Sequence, residues 1–303
     1  MKKILLVVLS VFALSAHAKE TVTIAYGWSP GDVAANFSRT IAQEANKLQD
    51  KYTFVLEVKP GAGAAIATNY ALNTPNTILA TSSAFWIRPN FFPNESYDVS
   101  LFHELIPHCD APLEVVSKKY KSWSEVPTDK PLTIAVSGLG ITTHLVATEV
   151  AKKYPNIKVV PFKSTTDSIT STLSGVTDFS VNFMGDGDQY INAREEKNKL
   201  YALGITGEKA DGKIPTLISM GFPKILSQMN APAHIVIPNT IPDAKAKEWH
   251  DILAKAGRTP AVQAAYAVDH CVSLNQMPES QIQPWFNKQN ATWKEITSGI
   301  TLK

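Results

Sequence analysis

The stretch TVTIAYGWSPGDVAANFSRTIAQEANKLQDKYTFVLEV, residues 21–58, decides the fold class. Residues 21–28 alternate β-branched and small side chains, which predicts a strand. After Asp32, apolar side chains recur on one helical face. They are Val33, Phe37, Ile41, Ala45 and Leu48. Residues 52–58 predict a second strand, so the stretch reads strand, helix, strand, which is typical of an α/β protein with a mostly parallel sheet covered on both faces.

This unit continues and then restarts further along the chain. Residues 60–73 predict a helix and residues 77–83 a third strand, and the pattern begins again at LTIAVS, residues 132–137. Two restarts predict two α/β lobes, each a doubly wound sheet. The extended segments APLEVVS and AHIVIP, near residues 115 and 235, are interpreted as the two crossovers of a hinge. We therefore expect residues 19–114 and 235–303 in lobe 1 and residues 115–234 in lobe 2.

The first residues have the pattern of a secretory signal peptide. Lys2 and Lys3 precede an apolar run, and Ala16-His17-Ala18 is a cleavage site, so residues 1–18 are predicted to be removed. No later run approaches the ~20 apolar residues of a membrane helix. We expect a soluble, monomeric protein in the periplasm. The two lysines account for the whole net charge of +2, and the remaining basic residues are scattered, which disfavours a nucleic-acid partner.

The chain has two cysteines, Cys109 and Cys271. In an oxidising compartment an even count permits one disulfide, whereas two separate buried thiols are the alternative. Sequence alone does not decide between them.

Four predicted strand-to-helix turns are rich in small residues and hydroxyls. They lie at residues 28–32, 60–63, 81–84 and 137–144. Such turns gather at the carboxyl edge of a parallel sheet, and helix starts offer unpaired N–H groups to an anion. The alternative is that all four are ordinary turns and caps. The candidate ligand-binding residues in them are Trp28, Ser29, Gly31, Asp32, Gly61, Ala62, Ser82, Ser83, Ser137, Gly138, Gly140, Thr142, Thr143 and His144.

Competing kinds of site fit the sequence less well. Gly27-Trp28-Ser29-Pro30-Gly31 has the spacing of a hydrolase nucleophile elbow, but Pro30 has no N–H to donate to an oxyanion. Gly138-x-Gly140 lacks the third glycine of a dinucleotide fingerprint. The histidines lack metal-ligand spacing. Asp186 and Asp188 in FMGDGD are interpreted as a polar turn, because no Glu follows at calcium-loop position 12. No cofactor or metal is expected.

Five segments of the chain resemble the periplasmic substrate-binding receptors of tripartite tricarboxylate transporters. They are SPGDVAAN, VKPGAGAAIA, TSSAFWIRPNFF, AVSGLGITTHLVAT and VVPFKSTTDSITSTLSGVTDFSV, and the resemblance extends over nearly all of residues 20–303. It implies a two-lobed periplasmic binding protein fold of type II. It also implies that the first-lobe loops and residues 137–144 hold a carboxylate in the cleft, partly through ordered water.

Departures from the family pattern affect the expected ligand. Arg88 stands where the family often has Asn, and Asn182 where it often has Asp, so both join the candidate ligand-binding residues. Arg88 either pairs with a second carboxylate or is a solvated surface residue. Trp28 places a large apolar face at the mouth of the site or simply covers the lobe.

The resemblance implies a non-enzymatic receptor that delivers a small organic carboxylate to the membrane permease subunits of a tripartite transporter. Two alternatives stay open at this point: an exported enzyme that acts on a small anion, and a receptor that reports its ligand to a sensor kinase. The sequence does not distinguish mono- from di- or tricarboxylates.

Overall fold

The computed structural model describes residues 18–94, 97–268 and 270–300. The predicted signal peptide lies outside these residues, apart from Ala18. Within the described ranges, no helix combines the length and the apolar character that crossing a membrane requires.

The described chain alternates strands and helices. In chain order the elements are β1 (Glu20–Tyr26), α1 (Val33–Lys47), β2 (Tyr52–Val58), α2 (Ala65–Asn73), β3 (Thr77–Thr81), α3 (Ala84–Phe91), β4 (Phe102–Ala111), β5 (Leu113–Ser117), β6 (Leu132–Val136), α4 (Thr142–Lys153), β7 (Ile157–Pro161), α5 (Thr165–Leu173), β8 (Phe179–Phe183), α6 (Met184–Ile191), β9 (Tyr201–Ile205), β10 (Ala231–Pro238), α7 (Asp243–Gly257), α8 (Pro260–Val268), β11 (Val272–Ser273) and α9 (Glu279–Ser298).

The first lobe is built on a six-stranded sheet of order β11-β4-β10-β3-β1-β2. Its strands β1, β2 and β3 are parallel, whereas β10, β4 and β11 pair antiparallel. Alternate residues of β1 enter two different cores: Ile24 packs in the cluster that includes α1, α7 and α8, and Ala25 in the cluster on the opposite face. Both faces of this sheet are therefore covered, as the sequence pattern predicts.

The second lobe is built on a five-stranded sheet of order β7-β6-β8-β5-β9. Strands β6, β7 and β8 are parallel, and β5 runs antiparallel to both β8 and β9. The two-lobed α/β fold class predicted from the sequence is thus present. The segments interpreted as crossovers are themselves sheet strands, β5 in the second sheet and β10 in the first.

The chain changes sheet at two neighbouring points. Strand β4 ends at Ala111 and β5 begins at Leu113, so the first change takes place at Pro112, while Asn230 directly precedes β10. The predicted lobe boundaries, 114/115 and 234/235, fall inside β5 and β10. The side chain of Asn230 links the two crossing segments, because it donates to Asp110 Oδ2 at 3.0 Å and accepts from Thr206 Oγ1 at 2.9 Å.

Cys109 and Cys271 form a disulfide with a Cα–Cα distance of 5.4 Å. The bond ties β4 to the residue that precedes β11, so it anchors the C-terminal part of lobe 1 to the second strand of its sheet. Of the two arrangements that the sequence left open, the structure has the bridged one.

The interpretation of FMGDGD as a polar turn is wrong, because these residues open helix α6. Gly187 lets the helix approach β5 closely: a Cβ at this position would lie 1.7 Å from Glu114 Oε1. Glu114 is fully buried, and burial raises its pKa, with further contributions from the charges of Asp188 and Asp186. Tertiary packing against β5 therefore forms a helix that two glycines would disfavour locally.

Candidate functional site

A cavity lies between the two lobes, and the centre of a water molecule can move within about 40 Å³ of it. Helix starts of both lobes supply part of its polar lining, and Tyr26 of β1, Ser38 of α1 and His234 of β10 also contribute. The lining residues are Tyr26, Trp28, Asp32, Ala34, Phe37, Ser38, Ala80, Thr81, Ser82, Ala84, Ser137, Ile141, Thr142, Thr143, Thr165, Phe183, Asp186, Ala233 and His234. Helix starts carry N–H groups without intrahelical partners and the positive end of the helix dipole. The arrangement suits a small anion.

Direct contacts hold the lobes together around this cavity. The hydroxyls of Ser83 in lobe 1 and Thr142 in lobe 2 hydrogen-bond to each other. Thr166 Oγ1 donates to Asp32 Oδ1 at 3.2 Å, and Arg88 Nη1 donates to the carbonyl oxygen of Leu139 at 3.3 Å. The structure therefore has a closed cleft.

A further contact between the lobes lies at the turn before β11. His270 Nε2 lies 2.8 Å from Asp188 Oδ2, and His270 Nδ1 lies 2.6 Å from Asp211 Oδ2. Although burial opposes the charged imidazole, hydrogen bonds and charges from the two carboxylates raise the pKa of His270 above its usual value. Protonation of His270 therefore strengthens this contact.

The loop of residues 137–144 forms the lobe-2 wall of the cavity. Gly138 and Gly140 have φ values of 141° and 65°, which favour glycine. Thr143 Oγ1 lies 3.3 Å from the N–H of Ser137 and 3.2 Å from its hydroxyl. His144 Nδ1 accepts from the Gly140 N–H at 3.1 Å, and burial lowers the pKa of His144 to about 4. A neutral His144 thus holds the loop through its hydrogen bond to Gly140, and it does not line the cavity.

Asp32 lies at the start of α1 with 4 % of its surface exposed. The Ser29 N–H donates to its Oδ2 at 3.1 Å. Burial, followed by the charge of Asp186, raises the pKa of Asp32 to about 7, and hydrogen bonds from Thr166, Ser29 and Tyr26 oppose this shift. Near neutral pH the protonated and ionised forms of the Asp32 carboxyl are therefore both populated.

The lobe-1 wall is aromatic. The rings of Tyr26 and Trp28 lie 5.5 Å apart at 59°, and both line the cavity. His234 stacks on Trp86 at 4.3 Å, and its Nδ1 lies 2.8 Å from Glu104 Oε2 in a fully buried pair. Burial raises the pKa of Glu104, and the charge of His234 opposes this. His234 Nε2–H donates to the Ser82 carbonyl oxygen at 3.3 Å, so the pair orients the loop after β3.

Six predicted candidates line the cavity, and six others support or flank it. The lining candidates are Trp28, Asp32, Ser82, Ser137, Thr142 and Thr143. The half-buried Ser29 accepts a turn hydrogen bond from the N–H of the exposed Gly31 at 3.3 Å. Ser83 contacts Thr142 directly. Gly138, Gly140 and His144 shape the loop opposite.

The remaining candidates lie away from the cavity lining. Gly61 and Ala62 have φ values of 124° and 49° in the turn that follows β2, and neither lines the cavity. Arg88 is 6 % exposed and lies over the Phe92 ring at 4.4 Å, so the interpretation as a solvated surface residue is wrong. Asn182 is fully buried and donates to Ser180 Oγ at 3.2 Å. The ligand-binding roles of all these residues stay predictions.

Several cavity residues were missed by the sequence reasoning. Thr81 lies in the predicted turn at residues 81–84 but was not chosen as a candidate, and Thr165 begins α5, whose start was not counted among the four turns. Tyr26 ends the first predicted strand on the side where the ligand was expected. Asp186 was not a candidate, because its segment was interpreted as a polar turn. His234 could not be predicted from local sequence, because its position at the cavity depends on the pairing of β10 with β3.

One group of residues outside the cavity has ligand atoms close enough to suggest a metal. Side-chain ligand atoms of His250, Asp251 and Glu279 lie within 4.8 Å of one another. Lys247 Nζ lies 2.7 Å from Asp251 and 3.5 Å from Glu279. A lysine ammonium therefore already balances these exposed carboxylates, and the group carries no metal assignment.

The fold and the cleft define a two-lobed solute-binding protein, and comparison with known proteins agrees. The model of the tripartite tricarboxylate transporter family receptor, TctC, matches residues 37–302. The chain belongs to this family. No curated protein is similar enough in sequence to match.

Solved structures share the fold at low sequence identity. The periplasmic binding protein BugD is 19 % identical with a TM-score of 0.80, covering 93 % of this chain and 98 % of its own. An R. palustris protein with adipate is 16 % identical with a TM-score of 0.79, covering 92 % and 96 %. MatC from Rhodopseudomonas palustris with bound malate is 18 % identical with a TM-score of 0.77, covering 91 % and 98 %.

Proposed function

We propose that this protein is an exported, monomeric receptor that binds a small organic carboxylate between its lobes and delivers it to the permease subunits of a tripartite transporter. The observation that carries the proposal is the convergence of helix starts from both lobes on one closed cavity. Family membership supports the receptor role. Non-enzymatic binding and delivery to a permease are parts of this proposal.

The loop of residues 137–144 is the proposed lobe-2 contact to the carboxylate. Its hydroxyls and the first N–H groups of α4 lie at the cavity, facing Ser82 and Thr81 of lobe 1. A ligand that contacts both walls favours the closed state, because only there are both sets of donors in reach. The neighbouring changes of sheet at Pro112 and Asn230 are the proposed hinge.

Export to the periplasm is supported by the sequence pattern of residues 1–18 and by relatives described as periplasmic. Two structural relatives bind malate and adipate, but their likeness to this chain extends only to the fold. These molecules therefore illustrate the proposed class of ligand and do not identify the ligand of this chain. Both molecules are small carboxylates.

The test is mass spectrometry of small molecules that co-purify with the protein, followed by a thermal-shift screen of carboxylic acids. A ligand at 100 times its dissociation constant adds about 2.7 kcal/mol to stability. We expect stabilisation by at least one carboxylate without turnover of it. Stabilisation only by neutral sugars, or conversion of the carboxylate to a product, would contradict the proposal.

Transport and signalling are separated by a growth experiment. Deleting the gene should abolish uptake of the identified carboxylate by intact cells, and a permease deletion should have the same effect. If uptake continues and only a transcriptional response to the carboxylate is lost, the receptor reports to a sensor instead.

A further inference from the structure

The charge of the cavity is unusual for a site that receives an anion. Asp32 from lobe 1 and Asp186 from lobe 2 both line it, and among the described residues that line it there is no lysine or arginine. His234 also lines the cavity, and its Nδ1 lies 2.8 Å from the buried carboxyl of Glu104. The protein thus places carboxylates in the same cavity as its anion-binding helix starts.

The hydrogen bonds that Asp32 accepts come from uncharged donors. They are the Ser29 N–H and the hydroxyls of Thr166 and Tyr26. Burial and the charge of Asp186 raise the pKa of Asp32 to about 7, which means that the ionised form is held at a cost. A cation in the cavity would relieve that cost, whereas a second carboxylate on the ligand would increase it.

A second observation points independently to a ligand at this place. Thr81 is 5 % exposed and lines the cavity, and its hydroxyl has no hydrogen-bond partner among the described residues. A buried hydroxyl without a partner costs free energy that a ligand group can recover. The aromatic faces of Trp28 and Tyr26 border the same space and can attract a cation.

We infer that the ligand is zwitterionic: a small carboxylate that also carries a cationic nitrogen, with Asp32 and Asp186 as the subsite for that nitrogen. The inference rests on the proposed function, since the carboxylate end still binds at residues 137–144. Charge-assisted hydrogen bonds from an ammonium group to carboxylates are among the stronger hydrogen bonds in proteins. Dicarboxylates lacking a cation are correspondingly disfavoured.

The first experiment compares probes that differ only by an amino group. The pairs are butanoate with 4-aminobutanoate, succinate with aspartate, and 3-phenylpropanoate with phenylalanine, each titrated by calorimetry at pH 7.5. We expect the amino member of at least one pair to bind, and to bind at least about 10-fold more tightly than its partner.

The second experiment removes the charges one at a time. Asp186→Asn should weaken the binding of the preferred amino probe by about 10- to 150-fold while leaving its amino-free partner unchanged or tighter. Asp32→Asn should act in the same direction. Asp167→Asn is the matched control, because Asp167 is an exposed carboxylate in the neighbouring helix α5 that does not line the cavity. Urea unfolding of each variant verifies folding, and Asp186→Glu, which keeps the charge, should restore the preference.

A third measurement uses the proton on Asp32. A bound cation lowers the pKa of a neighbouring carboxyl, so the amino probe should release protons at pH 7, whereas an anion without a cation should take them up. Calorimetry in buffers of different ionisation enthalpy gives the number of protons, and Asp32→Asn should abolish the release.

The outcomes separate this inference from the proposed function. If amino-free carboxylates bind as tightly as or more tightly than their amino partners, the zwitterion inference is overturned and the carboxylate receptor stands. A preference for the amino probes that survives both Asp186→Asn and Asp32→Asn also overturns the assigned subsite. If no probe of either kind binds, and no other carboxylate does, the proposed function fails as well.

Discussion

Closure of the lobes can be blocked by a single methyl group at Gly140. A Cβ at this position would lie 2.6 Å from a ring carbon of Phe92 and 3.5 Å from Cβ of Phe91, both in the opposite lobe. Overpacking of this kind costs about 1–3 kcal/mol, and it acts only when the lobes meet. We therefore expect Gly140→Ala to weaken the binding of the identified carboxylate by about 5- to 150-fold.

Backbone strain must be separated from this clash. Gly140 has φ 65°, and an alanine in the left-handed region costs about 1–2 kcal/mol whether the cleft is open or closed. Gly212→Ala is the matched control in lobe 2, since Gly212 has φ 55° and a Cβ there would meet nothing within 4 Å. Both variants should lose similar free energies of unfolding without ligand, and only Gly140→Ala should lose affinity.

The assay pairs calorimetric affinity with urea unfolding of the ligand-free protein, and X-ray scattering reports closure. The ligand should reduce the radius of gyration of the wild type and of Gly212→Ala, and reduce it less in Gly140→Ala. Equal affinities of the two variants would refute the idea that binding requires the closed cleft seen here.

Three further predictions concern stability. Replacing both Cys109 and Cys271 by serine opens a loop of 162 residues. The chain-entropy model predicts that the free energy of unfolding then falls by up to about 5 kcal/mol. Urea unfolding measures this loss, and an unchanged midpoint would contradict the prediction. The pKa of Asp32 is raised to about 7, so between pH 4 and pH 7 the folded protein keeps a proton that the unfolded chain releases. The free energy of unfolding of the wild type, measured relative to Asp32→Asn, should therefore fall by at most about 4 kcal/mol between pH 4 and pH 8. A rise over this range would contradict the raised pKa. Gly187→Ala places a methyl group against the buried Glu114 and should destabilise the protein by about 1–3 kcal/mol in the same assay, whereas a neutral effect would mean that α6 can move away from β5 at no cost.

Local patterns were sufficient for the helices and strands of each β-α-β unit. The apolar period of α1 and the strand pattern around Ile24 predict which faces of these elements are buried, and the structure confirms that those faces are buried. Three of the four predicted turns supply cavity residues, because the loops after β1, β3 and β6 meet between the lobes. The turn at Gly61 follows β2, an edge strand, and does not line the cavity; a Cβ at its Gly63 would lie 3.3 Å from both Arg88 Cδ and Ile141 Cγ2.

The remaining features depend on contacts that are distant in the sequence. Strand β10 joins the first sheet between β3 and β4, and only that pairing brings His234 to the cavity. Helix α6 has two glycines in its first turn and forms through packing on Glu114, so its sequence favoured a turn. Asp186 was therefore not predicted as a site residue, although its carboxylate adds negative charge to the cavity.

The most direct test of the central claim is a crystal structure of the protein with the carboxylate that stabilises it most in the thermal-shift screen. We expect density for that molecule between the lobes, with its carboxylate against the hydroxyls and N–H groups of residues 137–143 and within reach of Ser82. A ligand bound outside the cleft, or in the cleft with its carboxylate directed away from residues 137–143, would contradict it.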